Sequence, residues 1–341
     1  MASISGQMAR AAILVAMRPL YYGISQSRHK ANRMEPAALN KQAIACAKHY
    51  MGKTAWPTVA LTLGVVVTFV ATLGLFAGAA LPAWAAYLSV AVLTYMAYTP
   101  LHEAAHGNIH GQYDSRKWIN DLCGYLVAPI IAIPYASHRL EHFAHHRYTN
   151  QPEKDPDFMV SGMQRGLVAV VTTGLRFLWI QNTFFLKHGW HNASATERFI
   201  YGMELTVSLG WRMAFIALVN QPGTIAVVLL GYYTGALFTA YWFAYRPHHP
   251  YKTSERYRNT NSLIMPSWMK PVEWFWLGQN LHSIHHLFPR VPFYRYHALH
   301  RDIRFILQEQ GTPVIGLFSR QPVASDASGK EASLFIKPPH E

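Results

Sequence analysis

Charge and cysteine are what this sequence has least of. Of its 341 residues, 14% are Asp, Glu, Lys or Arg, against about 25% in an ordinary soluble domain. A shortfall of that size points to a chain in contact with lipid rather than to a large water-soluble core. The two cysteines, Cys46 and Cys123, exclude a disulfide framework and are not spaced as a metal-binding pair. Both read as buried thiols. A Gly-rich dinucleotide fingerprint and a haem-attachment motif are also missing, so any electrons the chain needs must come from a partner. No repeat occurs beyond short histidine clusters. Residues 11–17 are apolar but too few to span a bilayer, and no cleavage site follows. They read as an interfacial helix rather than a signal peptide.

The missing charges are missing in blocks. Residues 56–100 contain no Asp, Glu, Lys or Arg, and a spanning helix needs about 20 apolar residues. The block therefore has room for two spans, 57–77 and 82–100, with a turn at 78–82. A second block, 205–245, holds only Arg212 and is divided by the turn signal Asn220-Gln221-Pro222-Gly223. It yields spans at 203–220 and 223–245, with Glu204 and Arg212 tolerated by snorkelling to the interface. Between the blocks, 124–135 is interrupted by Pro129 and Pro134 and reads as interfacial or re-entrant. Residues 166–186, interrupted by Arg176, Gln181 and Asn182, read as a helix along the membrane surface.

Acids are the scarcer charge. The chain has 30 Lys and Arg against 17 Asp and Glu, for a net charge of +13. The first 55 residues hold a single acid, Glu35, against eight bases. Four spans place the charge-rich segments 1–55, 101–202 and 246–341 on one side, which the positive-inside rule makes the cytoplasm. Both termini fall there too. The expected fold is an all-α integral membrane protein of about four transmembrane helices, topped by a cytosolic helical cap. Residues 319–341, rich in Ala, Ser, Asp, Gly and Lys, read as a disordered tail. The bilayer is an expected partner, and nucleic acid is not.

What the sequence does have is histidine, 19 in all. His142, His145 and His146 stand at i, i+3 and i+4, an arc of roughly 100° on a helix. The same H-x-x-H-H spacing returns at His282, His285 and His286, and His102 and His106 stand at i and i+4. Imidazole is the commonest side-chain metal ligand. These eight exceed what one metal at four to six ligands can use, so two metals are implied, without their identity. A ninth ligand is expected from Arg246-Pro247-His248-His249-Pro250, with His248 preferred to His249. All three clusters lie on the cytoplasmic side of a four-span chain; three spans would separate them. His102-Glu103-Ala104-Ala105-His106 is formally also an H-E-x-x-H zinc protease motif, but that chemistry leaves six clustered histidines without a role. A metal transporter would place its ligands within the spans.

The order of clusters around paired spans resembles the membrane-bound fatty-acid desaturase and hydroxylase superfamily. The pieces HEAAHGNIH (102–110), HFAHHRYTNQPEKDPD (142–157), RPHHP (246–250) and LGQNLHSIHHLFPRVPFYRY (277–296) are most similar to β-carotene hydroxylases of cyanobacterial type. That subgroup has one His after Pro where this chain has His248 and His249. The resemblance implies two non-haem irons that use O2 and external electrons to oxidise an unactivated C–H bond. The implied reaction is hydroxylation of a β-carotene ring; the alternative is a fatty-acyl desaturase or another fatty-acid-oxidising enzyme. An electron donor such as ferredoxin or a reductase is expected, with Arg290, Arg295, Arg301 and Arg304 offering a docking patch or a lipid-headgroup contact. The localisation implied is a bacterial inner membrane. Asp155, Asp157 and Glu141 are expected either to accept N–H bonds from ligand histidines or to form turns. Asn280 either orients a water or a histidine, or caps a helix. Tyr232, Tyr233, Phe238, Tyr241, Trp242, Phe243 and Tyr245 line a channel for a rigid polyene or form an interfacial belt with core packing.

Overall fold

The computed structural model describes residues 35–324. Among the described residues, 42–324 form one compact unit, and 35–41, with the start of helix α1 (Pro36–Lys48), belong to another. The expected interfacial helix at 11–17 and most of the basic N-terminal segment lie outside the described residues. The fold is mostly helical.

Helix α2 (Trp56–Ala77) opens with Pro57 in its first turn, where a missing N–H costs nothing. Thr58, Thr62, Val65, Phe69, Thr72 and Phe76 form its buried stripe. Leu63, Val67, Val70 and Leu75 face outward, so the helix is apolar all round, as a helix among lipids is. Helix α3 (Ala83–Ala105) was expected to stop near residue 100 but runs through Pro100 and carries His102 inside its last turn. A proline there removes one backbone bond, and the burial of every residue from Thr99 to Ala105 holds the turn together.

Helices α4 (Lys117–Ile131) and α5 (Tyr135–Tyr148) meet at a 96° bend. Pro129 lies within α4, and the break falls at residues 132–134, where Ala132 is left-handed and Pro134 caps α5. A turn structure at 156–165 leads to α6 (Leu167–Phe184). This helix packs on the last span by Gly174, Leu237 and Tyr233, and leaves Leu167, Val168, Leu175 and Trp179 exposed.

Helix α7 (Ala195–Leu218) starts eight residues before the expected span, because Ser194 and Glu197 form a capping box. Its charged residues do not snorkel. Glu204 and Arg212 are 7% and 4% exposed and clamp the bend. The Arg212 guanidinium donates to the Pro129 and Ile130 carbonyls at 2.8 and 2.7 Å, at the C-terminal end of α4. The Glu204 carboxylate accepts from the Tyr135 N–H at 2.7 Å, at the N-terminal end of α5. Each charge meets the helix end whose dipole it complements.

Helix α8 (Ala226–Tyr245) is the last long helix. Its Gly231 and Gly235 lie against α3; a Cβ on Gly235 would stand 2.2 Å from the Ala91 carbonyl oxygen. This G-x-x-x-G spacing lets two backbones approach. By length and composition, α2 and α8 can cross a membrane. The other expected spans, α3 and α7, are 23 and 24 residues long but more polar. The bent pair α4–α5 has the form of a broken span or re-entrant loop.

After α8 come a loop, strand β1 (Ser262–Ile264), short helix α9 (His282–Leu287), and strands β2 (Pro313–Gly316) and β3 (Val323–Ala324). Strand β2 pairs parallel with β1 and antiparallel with β3. The expected disordered tail therefore keeps structure through residue 324, and its remainder lies outside the described residues.

Gly235→Ala should lower thermal stability in detergent by ~1–3 kcal/mol, the usual cost of overpacking. Gly64→Ala, with no atom within 4 Å of the added carbon, should not. Equal melting of both variants would exclude close α3–α8 contact as a determinant of stability.

Candidate metal centre

Each histidine cluster sits where a helix ends. His102 lies in the last turn of α3 and His106 caps it. His142, His145 and His146 lie in the last two turns of α5, and α9 is little more than the H-x-x-H-H motif itself. His248 follows α8. A helical i, i+4 pair points two imidazoles the same way, and the i+3 residue points to one side of them. Two such motifs facing each other can therefore serve two centres.

The structure brings nine imidazoles together in two groups. His102, His106, His142, His146 and His285 form the first, and His145, His248, His282 and His286 the second. Within each, one nitrogen per residue lies within 4.8 Å of all the others. The two H-x-x-H-H motifs divide in opposite senses. From α5 the i, i+4 pair joins the first group and His145 the second; from α9 the pair joins the second and His285 the first. The groups touch where His146 stacks on His286, with ring centroids 4.3 Å apart.

The nitrogens meet Nε2 to Nε2. Separations are 2.9 Å for His106–His142, 3.0 Å for His142–His146, 3.0 Å for His102–His285 and 2.8 Å for His146–His285. In the second group they are 3.1 Å for His248–His282 and 3.3 Å for His145–His286. Two imidazoles bound at right angles to one metal, with bonds of roughly 2.0–2.1 Å, have nitrogens about 2.9 Å apart. The donor set and its spacing fit two transition-metal ions.

Protonation favours the same use. Burial, helped by neighbouring imidazoles, pushes His106 and His282 down to about 3. It also holds His142, His146, His248, His285 and His286 well below the ordinary histidine range. These rings are neutral at pH 7, the form that binds metal. His145 goes the other way. Burial lowers it, but the charges of Asp155 and Asp157 and the hydrogen bond to Asp155 outweigh this and push it up to about 9.

Three far-side contacts fix which nitrogen faces the centre. His145 Nδ1 donates to Asp155 Oδ1 at 2.8 Å. His248 Nδ1 lies 3.2 Å from Asn150 Oδ1. The Asn150 amide nitrogen already donates to the Thr253 and Asn259 carbonyls, so its oxygen must accept from His248. His285 Nδ1 lies 3.1 Å from Tyr296 Oη. With Nδ1 occupied, Nε2 is left as the ligand atom.

The other expected residues divide. Asp155 does both jobs offered for it: it binds His145 and accepts from the Asp157 and Asn150 N–H groups, shaping the turn. Asp157 stands 3.7 Å from His145 Nδ1, beyond hydrogen-bond reach. Glu141 is buried against Asp157 and Gln181, and burial pushes its carboxyl up to about 7. Asn280 donates to Glu273 and to the Leu263 carbonyl and makes no histidine contact; it braces β1. His249 joins neither group. Glu103 accepts from Asn108, whose amide also reaches the Pro289 and Val291 carbonyls. It thus braces the loop after α9, and its two flanking histidines serve a five-histidine group instead of a three-ligand protease site.

Sequence reasoning missed Asn150, Tyr296 and His138. His138 stacks on His142 with centroids 5.2 Å apart, and its Nδ1 meets Gln181 Oε1 at 3.1 Å. Its place one helical turn before His142 was the available signal. Beside the first group runs a series of aromatic contacts: Phe275–Tyr95, Tyr95–Phe243, Phe243–Tyr98 and Tyr98–His102, at 5.0–5.9 Å. Of the expected channel residues, Phe238 and Phe243 join this wall, while Tyr232 lies over Arg212 and Tyr233 binds the Val171 carbonyl.

Residues 79–318 match the family model for fatty acid desaturases. The chain is 25% identical over 261 residues to the chloroplastic omega-6 fatty acid desaturase of Arabidopsis thaliana, covering 68% of this chain and 56% of that protein. It is 33% identical over 101 residues to the sn-1 oleoyl-lipid 12-desaturase of a Picosynechococcus strain, covering 30% and 27%. It is 26% identical over 275 residues to the sn-1 oleoyl-lipid 12-desaturase of a Synechocystis strain, covering 73% and 76%. The chain spans about half the length of the plant omega-6 relatives it matches. With a family match over most of its length, laid on nine converging histidines, this chain belongs to the fatty acid desaturase family.

Proposed function

We propose that the protein is an integral membrane oxidoreductase that holds two non-haem irons in its histidine groups and uses O2 to oxidise a long apolar substrate. The observation that carries this reading is the division of nine buried and partly buried histidines into groups of five and four with metal-ligand spacing. Irons bound there would supply the O2 chemistry that removes hydrogen from an unactivated C–H bond. The protein's own residues turn imidazole Nε2 atoms toward the centre, with Nδ1 met by Asp155 behind His145, by Asn150 behind His248 and by Tyr296 behind His285. Four spans, formed by α2, α3, α7 and α8 with the histidines at the cytoplasmic face, complete the reading.

The substrate we propose is the fatty-acyl chain of a membrane lipid, with desaturation as the outcome. The relatives reported above are fatty acid desaturases, which supports this over the carotenoid reading drawn from the pieces 102–110, 142–157, 246–250 and 277–296. Hydroxylation of a β-carotene ring stands second. What favours it is the aromatic wall from Phe275 to His102, a surface suited to a rigid polyene. Expression in a bacterium that makes only saturated and monounsaturated lipids, supplemented with β-carotene synthesis, separates the two. New double bonds by gas chromatography support the acyl reading. Unchanged fatty acids with hydroxylated carotenoid transfer the assignment to the second reading, and no change in either overturns both.

Metal analysis of the purified chain should give two irons. His286→Ala, at the four-histidine group, should lower this to about one while α2 and α8 still insert. Two irons retained would show that the groups are wrongly drawn. Asp155→Asn, which keeps the shape but removes the charge behind His145, should weaken metal retention against a chelator by roughly 10–100-fold. Asn259→Ala, at which only the backbone carbonyl bonds Asn150, should leave retention unchanged.

A further inference from the structure

We propose that the loop 250–259, with Lys252 and Arg258 at its exposed edge, is the docking face for an acidic one-electron carrier protein that reduces the metal centre. This rests on the function proposed above. The electron count requires such a partner. Forming one double bond takes two hydrogens and two electrons from the substrate, whereas reducing O2 to two waters takes four electrons and four protons. The remaining two electrons and two protons come from outside: R–CH2–CH2–R′ + O2 + 2e− + 2H+ gives R–CH=CH–R′ + 2H2O.

The loop lies directly over the four-histidine group. A cleft of about 220 Å³ reaches His248 from the surface between Asn150, Lys252, Thr253 and Arg258. Two hydrogen bonds join loop backbone to imidazole: Asn150 Nδ2 donates to the Thr253 carbonyl at 2.9 Å, and His248 Nδ1 donates to Asn150 Oδ1 at 3.2 Å. A second connection runs from Arg256, whose guanidinium donates at 2.8 Å to the carbonyl of Leu287, the residue after His286. Both end in the same group, so this face is bonded to the four-histidine centre at two points.

Charge identifies the partner. Lys252, Arg256 and Arg258 are exposed on one loop, against a single acid, Glu255, which lies 3.4 Å from Arg258. An exposed basic edge steers an acidic protein and fixes its orientation. The Arg290–Arg304 patch is the rival face. Arg290 is tied to the Gly111 carbonyl and Arg301 lies beside Asp302, and neither guanidinium contacts a residue bonded to the four-histidine group.

The test uses the full iron-loaded chain in lipid nanodiscs, with plant-type ferredoxin and its reductase as donor or with dithionite and methyl viologen. Lys252→Glu combined with Arg258→Glu should raise the KM for ferredoxin roughly tenfold and flatten its salt dependence. Viologen-driven turnover should stay within twofold. Carbodiimide coupling should link ferredoxin carboxylates to Lys252, found by mass spectrometry, with or without turnover. Three results overturn the proposal: an unchanged ferredoxin KM, an equal loss with both reductants, or no coupling at Lys252 together with a raised ferredoxin KM in Arg295→Glu/Arg301→Glu. Failure of the wild-type chain to make product with viologen would instead count against the proposed function, and the coupling result would still decide the docking face.

Discussion

Nine imidazoles whose neighbouring Nε2 atoms lie 2.8–3.3 Å apart are the constraint on which this structure depends. Rings crowded through their Nε2 atoms gain little from each other, and burial removes much of the water that would otherwise satisfy them. Such an arrangement does not assemble because its members attract. It persists because the helices that carry them are fixed by contacts elsewhere, and a metal ion is the partner that converts the crowding into bonds. The stabilising interactions should therefore lie away from the histidines, and they do.

Two sets of contacts do this work. The first is the close approach of α3 and α8 at Gly231 and Gly235, which brings the helix carrying His102 and His106 beside the one that leads into His248. The second is the clamp on the α4–α5 bend. A 96° turn inside an apolar layer exposes carbonyls at one helix end and N–H groups at the other, and each such group left bare would cost about 1–3 kcal/mol. Arg212 and Glu204, two turns apart on α7, satisfy them from one side. The aim of α5, and so of His142, His145 and His146, is set by charges nowhere near the metal centre.

The part of this that was legible in the sequence was whatever helix periodicity can carry. H-x-x-H-H puts three rings on one arc, and eight such rings exceed one metal, so two centres followed before any coordinates. The preference for His248 over His249 agrees with where the structure puts the two rings, although spacing alone did not decide it. Other features depend on partners distant in the chain. Asn150 and Tyr296 are ordinary residues until folding sets them behind His248 and His285. Glu204 and Arg212 read as blemishes on a span because a linear pattern cannot show the bend they cap. The second span read as ending at residue 100 because local propensity takes no account of packing, which here outweighs the backbone bond lost at Pro100. Substrate class depends on more than short motifs: the pieces 102–110, 142–157, 246–250 and 277–296 resemble carotenoid hydroxylases, while the longer matches are to fatty acid desaturases.

The opposite division of the two H-x-x-H-H motifs makes the centre nearly symmetric, and the residues behind the rings break that symmetry. The first group has five imidazoles and, at His285, a neutral phenol behind it. The second has four imidazoles but a carboxylate on His145, with Asp157 close by. A negative charge roughly 6 Å from a metal position contributes about 3 kcal/mol per unit of metal charge at an effective dielectric near 20. That compensates in kind for one missing nitrogen donor, since it favours the cation without occupying a coordination position. The four-histidine group would put one imidazole fewer around a metal held there, with a carboxylate behind His145 to favour its charge. It is also the group reached by the loop 250–259, through Asn150 and Arg256. The aromatic wall, in contrast, ends on His102 of the five-histidine group. Under the proposed function the asymmetry would separate two demands on one centre, with apolar substrate beside the five-histidine group, where the aromatic wall ends, and electrons entering at the four-histidine group, which the loop 250–259 reaches.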